Sequence, residues 1–245
     1  MGKAISGKAV REMRERERKA HHLEKKIKVA SRLTHLNYLI VCEGEKTEPN
    51  YFKALVKGRN SQVLTATIEG EGANTKSLID IAIRKRALSP IHFDVTWAVF
   101  DKDDFVDFNE AIEHAKSNGV NPAWSNEAFE LWYYLHFQFL DTQVNRHQYI
   151  EMLTREIRKV CPLFEYKKND EGMYQLLSEI GNQEQAIKSA KALESRYKDA
   201  DYATHKPSTT VYRLVEELNN PENVIERINS LSKWLTKSLS LRSPK

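Results

Sequence analysis

The sequence predicts an α/β fold, with a largely parallel sheet flanked by helices and then a helical C-terminal portion. Three observations carry this reading. Apolar strand-like runs alternate with helix-like segments from Leu36 to Asn118. Two of those runs end directly in acidic residues, as expected where a parallel sheet gathers ligands at the carboxyl ends of its strands. Beyond Ser125 the apolar periodicity is that of helices. With 245 residues, 40% of them apolar, the chain can bury a sizeable core.

In chain order, Lys3 to Arg32 is dense in Lys and Arg, with Glu12, Glu15, Glu17 and Glu24 interspersed and no core-forming stripe. Glu15 and Lys19 have the spacing of a helical ion pair. Residues 1–34 therefore read as a basic arm, either a solubilising tail or a contact for a phosphate backbone. Leu36 to Cys42 reads as a buried strand. Thr47, Glu48 and Pro49 then open a helix carrying Tyr51, Phe52, Leu55 and Val56, which Gly58 ends. Val63 to Ile68 gives a second strand, and the glycine-broken Glu69-Gly70-Glu71-Gly72 a loop. Leu78, Ile79, Ala82 and Ile83 recur at helical spacing, Val95 to Phe100 is a third strand, and Phe108, Ala111, Ile112 and Ala115 mark a helix stopped by Asn118-Gly119. Ser125-Asn126 is expected to cap a buried helix through Phe137, in which Trp132, Tyr133 and Phe137 serve the core and His136 is structural. Later helices are expected around 149–160, 183–197, 209–218 and 225–235, with a loop over Lys167 to Gly172 and a frayed end from Ser238. The domain reading is a 35–137 α/β core and a 138–245 helical portion that either stands apart or packs with the core.

The chemistry lies at two strand ends. Asp101 and Asp103 follow Val95 to Phe100, and residues two apart in extended chain project to one face. Carboxylates that close resist joint ionisation unless a cation lies between them, and a hard divalent ion such as Mg²⁺ suits oxygen ligands that leave positions for water and phosphate. Glu43 occupies the end of the first strand. Glu45 could join it only if the chain stays extended past Gly44. Glu48 reads better as an acid favouring a helix N-terminus. Glu127 and Glu130, three apart in an apolar segment, are expected to be metal-bound or salt-bridged. Lys46, Lys167 and Lys168 are candidate nucleic-acid contacts. No Cys/His spacing suggests zinc, His21 and His22 lack further ligands nearby, and the absence of a Walker-type sequence assigns any ATP hydrolysis to another protein. Two cysteines are too few for a disulfide framework and no apolar run reaches the roughly 20 residues a bilayer needs, so the expectation is a cytoplasmic protein with no membrane role.

An acid after a first strand and Asp-x-Asp after a later one resembles the Toprim domain of topoisomerases, primases and metal-dependent nucleases. A closer resemblance covers most of the chain from Leu39 onward. Its motifs are Val41 to Phe52, Phe100-Asp101-Lys102-Asp103, Ser125 to Trp132, and Pro207-Ser208-Thr209-Thr210-Val211-Tyr212. This ordered set resembles the RloB-like family, bacterial proteins linked to abortive phage defence and restriction loci. The resemblance implies a Toprim-like core, a Mg²⁺ or Mn²⁺ site, nuclease activity and often a neighbouring ATPase as partner. It makes Glu43, Asp101 and Asp103 the catalytic acids: the aspartates hold metal, while Glu43 holds a second ion or acts as general base. By analogy among Toprim effectors, transfer RNA is an attractive substrate, with RNA and DNA both open. Two rivals stay open as well, a nucleotidyl or phosphoryl transferase on the same site and a non-enzymatic sensor or subunit of an ATPase complex. The helical C-terminal portion could build a homo-oligomer interface or an ATPase dock.

Overall fold

The structure is a computed structural model describing residues 33–59, 62–72, 74–102 and 107–240. The basic arm as far as Arg32, with His21 and His22, and the acids Asp103 and Asp104 lie outside the described residues. Five strands form one sheet in the order β2-β1-β3-β4-β5: β1 Leu36–Cys42, β2 Leu64–Gly70, β3 Val95–Asp101, β4 Asn121–Asn126 and β5 Ser208–Thr209. The first four are mutually parallel and β5 is antiparallel to β4. The expected mixed α/β architecture, with its helical C-terminal region, is what the chain adopts.

Helices α1 Thr47–Lys57, α2 Thr75–Leu88 and α3 Phe108–Ser117 connect the parallel strands in turn. One face of the sheet supplies Leu39 and Val41 from β1 and Ala98 and Phe100 from β3 to a buried cluster, completed by Leu78, Ile79 and Ala82 of α2 and Phe108, Ala111, Ile112 and Ala115 of α3. Strand residues of one parity share a face, and the other parity is covered too, which explains why these runs are apolar at nearly every position, Asn37 and Thr96 being the polar members before the terminal Asp101. Trp97, of that opposite parity, donates its indole N–H to Glu217 Oε2 at 3.1 Å from a C-terminal helix.

The C-terminal helices are α4 Glu130–Tyr134, α5 Arg146–Arg158, α6 Met173–Ile180, α7 Gln183–Glu194, α8 Val211–Asn219 and α9 Pro221–Ser240. A capping box starts α5, Asn145 and Gln148 each satisfying the other's backbone N–H. Tyr51 of α1 sits among Phe52, Phe129, Trp132, Tyr133 and Tyr174, with ring centroids 5.2–6.4 Å away. This aromatic cluster joins helices from both halves of the sequence. Trp132 and Tyr133 thus belong to the core, and buried His136 donates its Nδ1–H to Trp132 O, 2.9 Å away, as a structural histidine. Leu36–Asn219 is one compact unit. The described residues 33–35 and 220–240 belong to a second, in which Asn229 donates to Leu33 O.

Several element expectations are corrected. Ser125 and Asn126 lie in β4 and do not cap a long helix, and α4 covers only Glu130–Tyr134. Asn at both ends and Pro122 disguise β4 in sequence, since these residues are depleted in strands. Its register against β3, from Trp97 opposite Asn121 to Asp101 opposite Ser125, determines its conformation. The two-residue β5 is held by contacts 84 to 86 positions away: Ser125 Oγ lies 2.9 Å from Thr209 Oγ1, and Thr210 N donates to Trp124 O at 2.8 Å. Helix α6 was not expected, β2 runs two residues past Ile68, and α9 carries the helical chain through Ser238 to Ser240.

The extension of β2 packs it tightly against the turn after β1. A Cβ added at Gly70 would stand 2.5 Å from Gly44 O and 2.7 Å from Glu45 Cα. Backbone atoms cannot swing aside as a flexible side chain can, so Gly70→Ala is expected to destabilise the protein by about 1–3 kcal/mol, read as a lowered urea midpoint at unchanged slope.

Candidate functional site

Strand order reverses direction between β1 and β3, and in open α/β sheets the crevice at that switch point, beyond the carboxyl ends of the strands, is where ligands bind. Glu43 leaves β1 there and Asp101 ends β3. Glu43 Oε2 accepts from the backbone N–H of Asp101 at 3.0 Å, and its Oε1 accepts from Thr75 Oγ1 at 3.2 Å. The glutamate therefore ties the end of β1 to the end of β3 and to the first turn of α2, where the Asn74 side chain caps the helix.

A cleft of about 290 Å³ opens at this point. Gly44, Glu48, Asp101 and Glu130 line it, together with the exposed Lys46 and Lys168. Asp101 is bound on one side only: Arg146 Nη2 lies 3.3 Å from its Oδ2 and also donates to Glu127 O at 3.4 Å. Its Oδ1 is buried without a hydrogen-bond partner, and so is Glu48 Oε2. Glu130 accepts from the Tyr166 hydroxyl at 2.6 Å. The segment carrying Tyr166 is fastened over the start of α1 by Thr47 Oγ1 donating to Lys168 O at 2.8 Å.

Crowding of acids sets the electrostatics. Burial first, then repulsion from Glu130 and Glu43, pushes the Glu48 carboxyl up to about 7; a backbone hydrogen bond and the Lys168 charge oppose the rise. Burial and the charges of Glu48, Glu130 and Glu43 likewise hold Asp101 well above the ordinary carboxylate range, with Arg146 opposing. Such a site favours bound protons or a bound cation. Two buried, unpartnered carboxylate oxygens in an all-oxygen donor set fit a hard divalent ion, which uses one or two carboxylates and keeps several waters. Among the described residues no three of His, Cys, Asp and Glu stand together as a ready metal cage.

Glu43, Asp101, Glu130, Lys46 and Lys168 come together. Asp103 lies outside the described residues. Glu127 precedes α4, and its carboxylate faces Lys206 Nζ at 3.2 Å, the salt-bridged alternative, while its carbonyl shares Arg146 with Asp101. Lys167 is exposed and accepts through its carbonyl from Asp170 N. Glu45 is exposed on the turn after β1 and lines the cleft as well. Glu48 does occupy the first turn of α1, as expected, yet it is only 6% exposed and faces the cleft. Thr75, Arg146 and Tyr166 were not anticipated. Arg146 had one sequence signal, its place directly after the cap residue Asn145; Tyr166 had none.

The fold and site define a class: α/β proteins with a buried carboxylate cluster at the switch point of a parallel sheet. Within it, the chain belongs to the RloB-like protein family, whose model matches residues 38–218. The match begins at Tyr38, the third residue of β1, and ends within α8, so it includes every site residue named above. Membership associates the chain with restriction loci and defence. Comparison with curated proteins and with solved structures gave no match. Among the described residues no helix is long and apolar enough to cross a membrane.

Proposed function

We propose that this protein is a Mg²⁺- or Mn²⁺-dependent nuclease that hydrolyses phosphodiesters of nucleic acid, transfer RNA included, in bacterial antiviral defence alongside a separate ATPase. The observation that carries the reading is the pair of buried, unpartnered carboxylate oxygens beside two exposed lysines at the switch point. Asp101 would hold the cation, which when bound polarises the phosphodiester and stabilises the leaving oxygen. Glu43 fixes the position of Asp101 through its backbone N–H and would orient or deprotonate a water. Lys46 and Lys168 give phosphate oxygens a cationic wall. Arg146 offsets charge on Asp101 from the side away from the cleft lining.

The test incubates labelled transfer RNA, single-stranded DNA and duplex DNA with wild type or Asp101→Ala, with Mg²⁺ or Mn²⁺ and with EDTA. Metal-dependent cutting that the variant lacks is the expected result. Cutting that survives in Asp101→Ala, or no cutting of any substrate with the neighbouring ATPase added, overturns the proposal.

A further inference from the structure

We propose that the divalent cation is held between Asp101 Oδ1 and Glu48 Oε2, making Glu48 a metal ligand and leaving Glu43 as the group that positions Asp101. This deepens the metal-dependent reading above and rests on it. Glu43 has hydrogen bonds on both oxygens, from Thr75 and from the Asp101 backbone. A carboxylate held at both ends by a sheet strand and a helix start sets geometry. Glu48 differs: 6% exposed, it brings an unpartnered oxygen to the cleft that Asp101 also lines. A buried carboxylate oxygen with no donor is costly, and either a bound proton or a cation relieves that cost.

The turn after β1 is shaped to leave room for this carboxylate. A Cβ at Gly44 would stand 2.2 Å from Glu48 Oε2 and 2.9 Å from its Oε1. The missing side chain lets the Glu48 carboxylate lie directly over the backbone of residue 44, beside the end of β3. Charge balance fits a single ion. On the Oδ2 side of Asp101 the Arg146 guanidinium already supplies a positive charge, so the Oδ1 side is the one left for a cation. Two carboxylates plus waters is an ordinary Mg²⁺ or Mn²⁺ ligand set, and it leaves positions for a phosphate.

The experiment is Mn²⁺ binding to the full chain by isothermal titration calorimetry, with Mn²⁺ electron paramagnetic resonance as a second count of bound ion and no nucleic acid present. Wild type is expected to bind one ion. Removing a supporting group beyond the ligands costs a metal site about 10–100-fold, so Glu48→Gln, which loses a ligand, is expected to weaken Mn²⁺ by at least about 100-fold, and Glu43→Gln by only about 10-fold. Gly44→Ala keeps every charge yet displaces the Glu48 carboxylate, and it should weaken Mn²⁺ as Glu48→Gln does. This variant also decides the matter if Glu48→Gln does not fold. Glu48→Gln or Gly44→Ala binding Mn²⁺ as tightly as wild type overturns the proposal, as does a wild type that binds none. Binding that follows this pattern without any cleavage upholds the ligand assignment and removes the nuclease reading, so the two fail separately.

Discussion

Asp101→Asn is expected to abolish cleavage while making the protein more stable. Losing the proposed metal ligand would remove several kcal/mol of transition-state charge stabilisation, which corresponds to a fall of about three orders of magnitude in rate. The fold responds in the opposite direction. Asp101 is held well above the ordinary carboxylate range by burial and by Glu48, Glu130 and Glu43, so ionising it costs the folded state free energy. An amide carries no such cost. The gain is expected to be on the order of 1 kcal/mol, the scale of relieving one unsatisfied buried group. It should be absent in acid, where wild type is protonated in both states, and present at neutral pH, where the unfolded chain is ionised. Parallel single-turnover assays and urea melts check both halves. A variant that is inactive and also less stable at neutral pH would mean that Asp101 serves the fold and not the chemistry.

The second large effect is a stability that falls as pH rises through the weakly acidic range. Glu48 has a folded-state pKa of about 7 against 4.5 for an unperturbed glutamate, with burial the main cause. The folded chain therefore binds a proton that the unfolded chain has already lost. Unfolding releases that proton within this window, so stability is complete below the lower value and drains away up to the upper one, by about 3 kcal/mol in all. If Mn²⁺ is held as proposed, it competes with the proton for the same oxygens, and its stabilising effect is expected to grow with pH over the same interval. Thermal melts at several pH values, with and without Mn²⁺, read this directly. Glu48→Gln should flatten the metal-free profile and erase most of the Mn²⁺ response.

Glu43 and Asp101 were legible because each ends a run whose composition allows little except a buried strand, and a strand's carboxyl end is a position the topology uses. Glu48 was legible as a helix-start acid and no more. Its burial depends on Gly44 lacking a side chain and on residues 166–169 closing over α1, neither of which is a local property. Arg146 and Tyr166 reach the site from 45 and 36 positions beyond the acids they meet, so no spacing rule links them. β4 and β5 escaped notice for a related reason. Asn, Pro and Ser have weak strand preferences, and only the backbone pairing with β3 and with each other selects the extended form. The helices with strong apolar stripes and caps were placed to within a few residues because their signals are local.

Segment 166–169 and strand β5 both join elements made much earlier in the chain. A ribosome adds about 5–20 residues per second, so the stretch from Asp101 to Thr209 takes roughly 5–20 s to synthesise. During that interval the nascent chain already carries Glu43, Glu48 and Asp101, but it lacks the wall that closes the cleft and the strand that fastens the sheet edge. The late-made half of the polypeptide therefore sets when the cleft is whole: Glu43, Glu48 and Asp101 stay without that wall and that strand until Thr209 has been added.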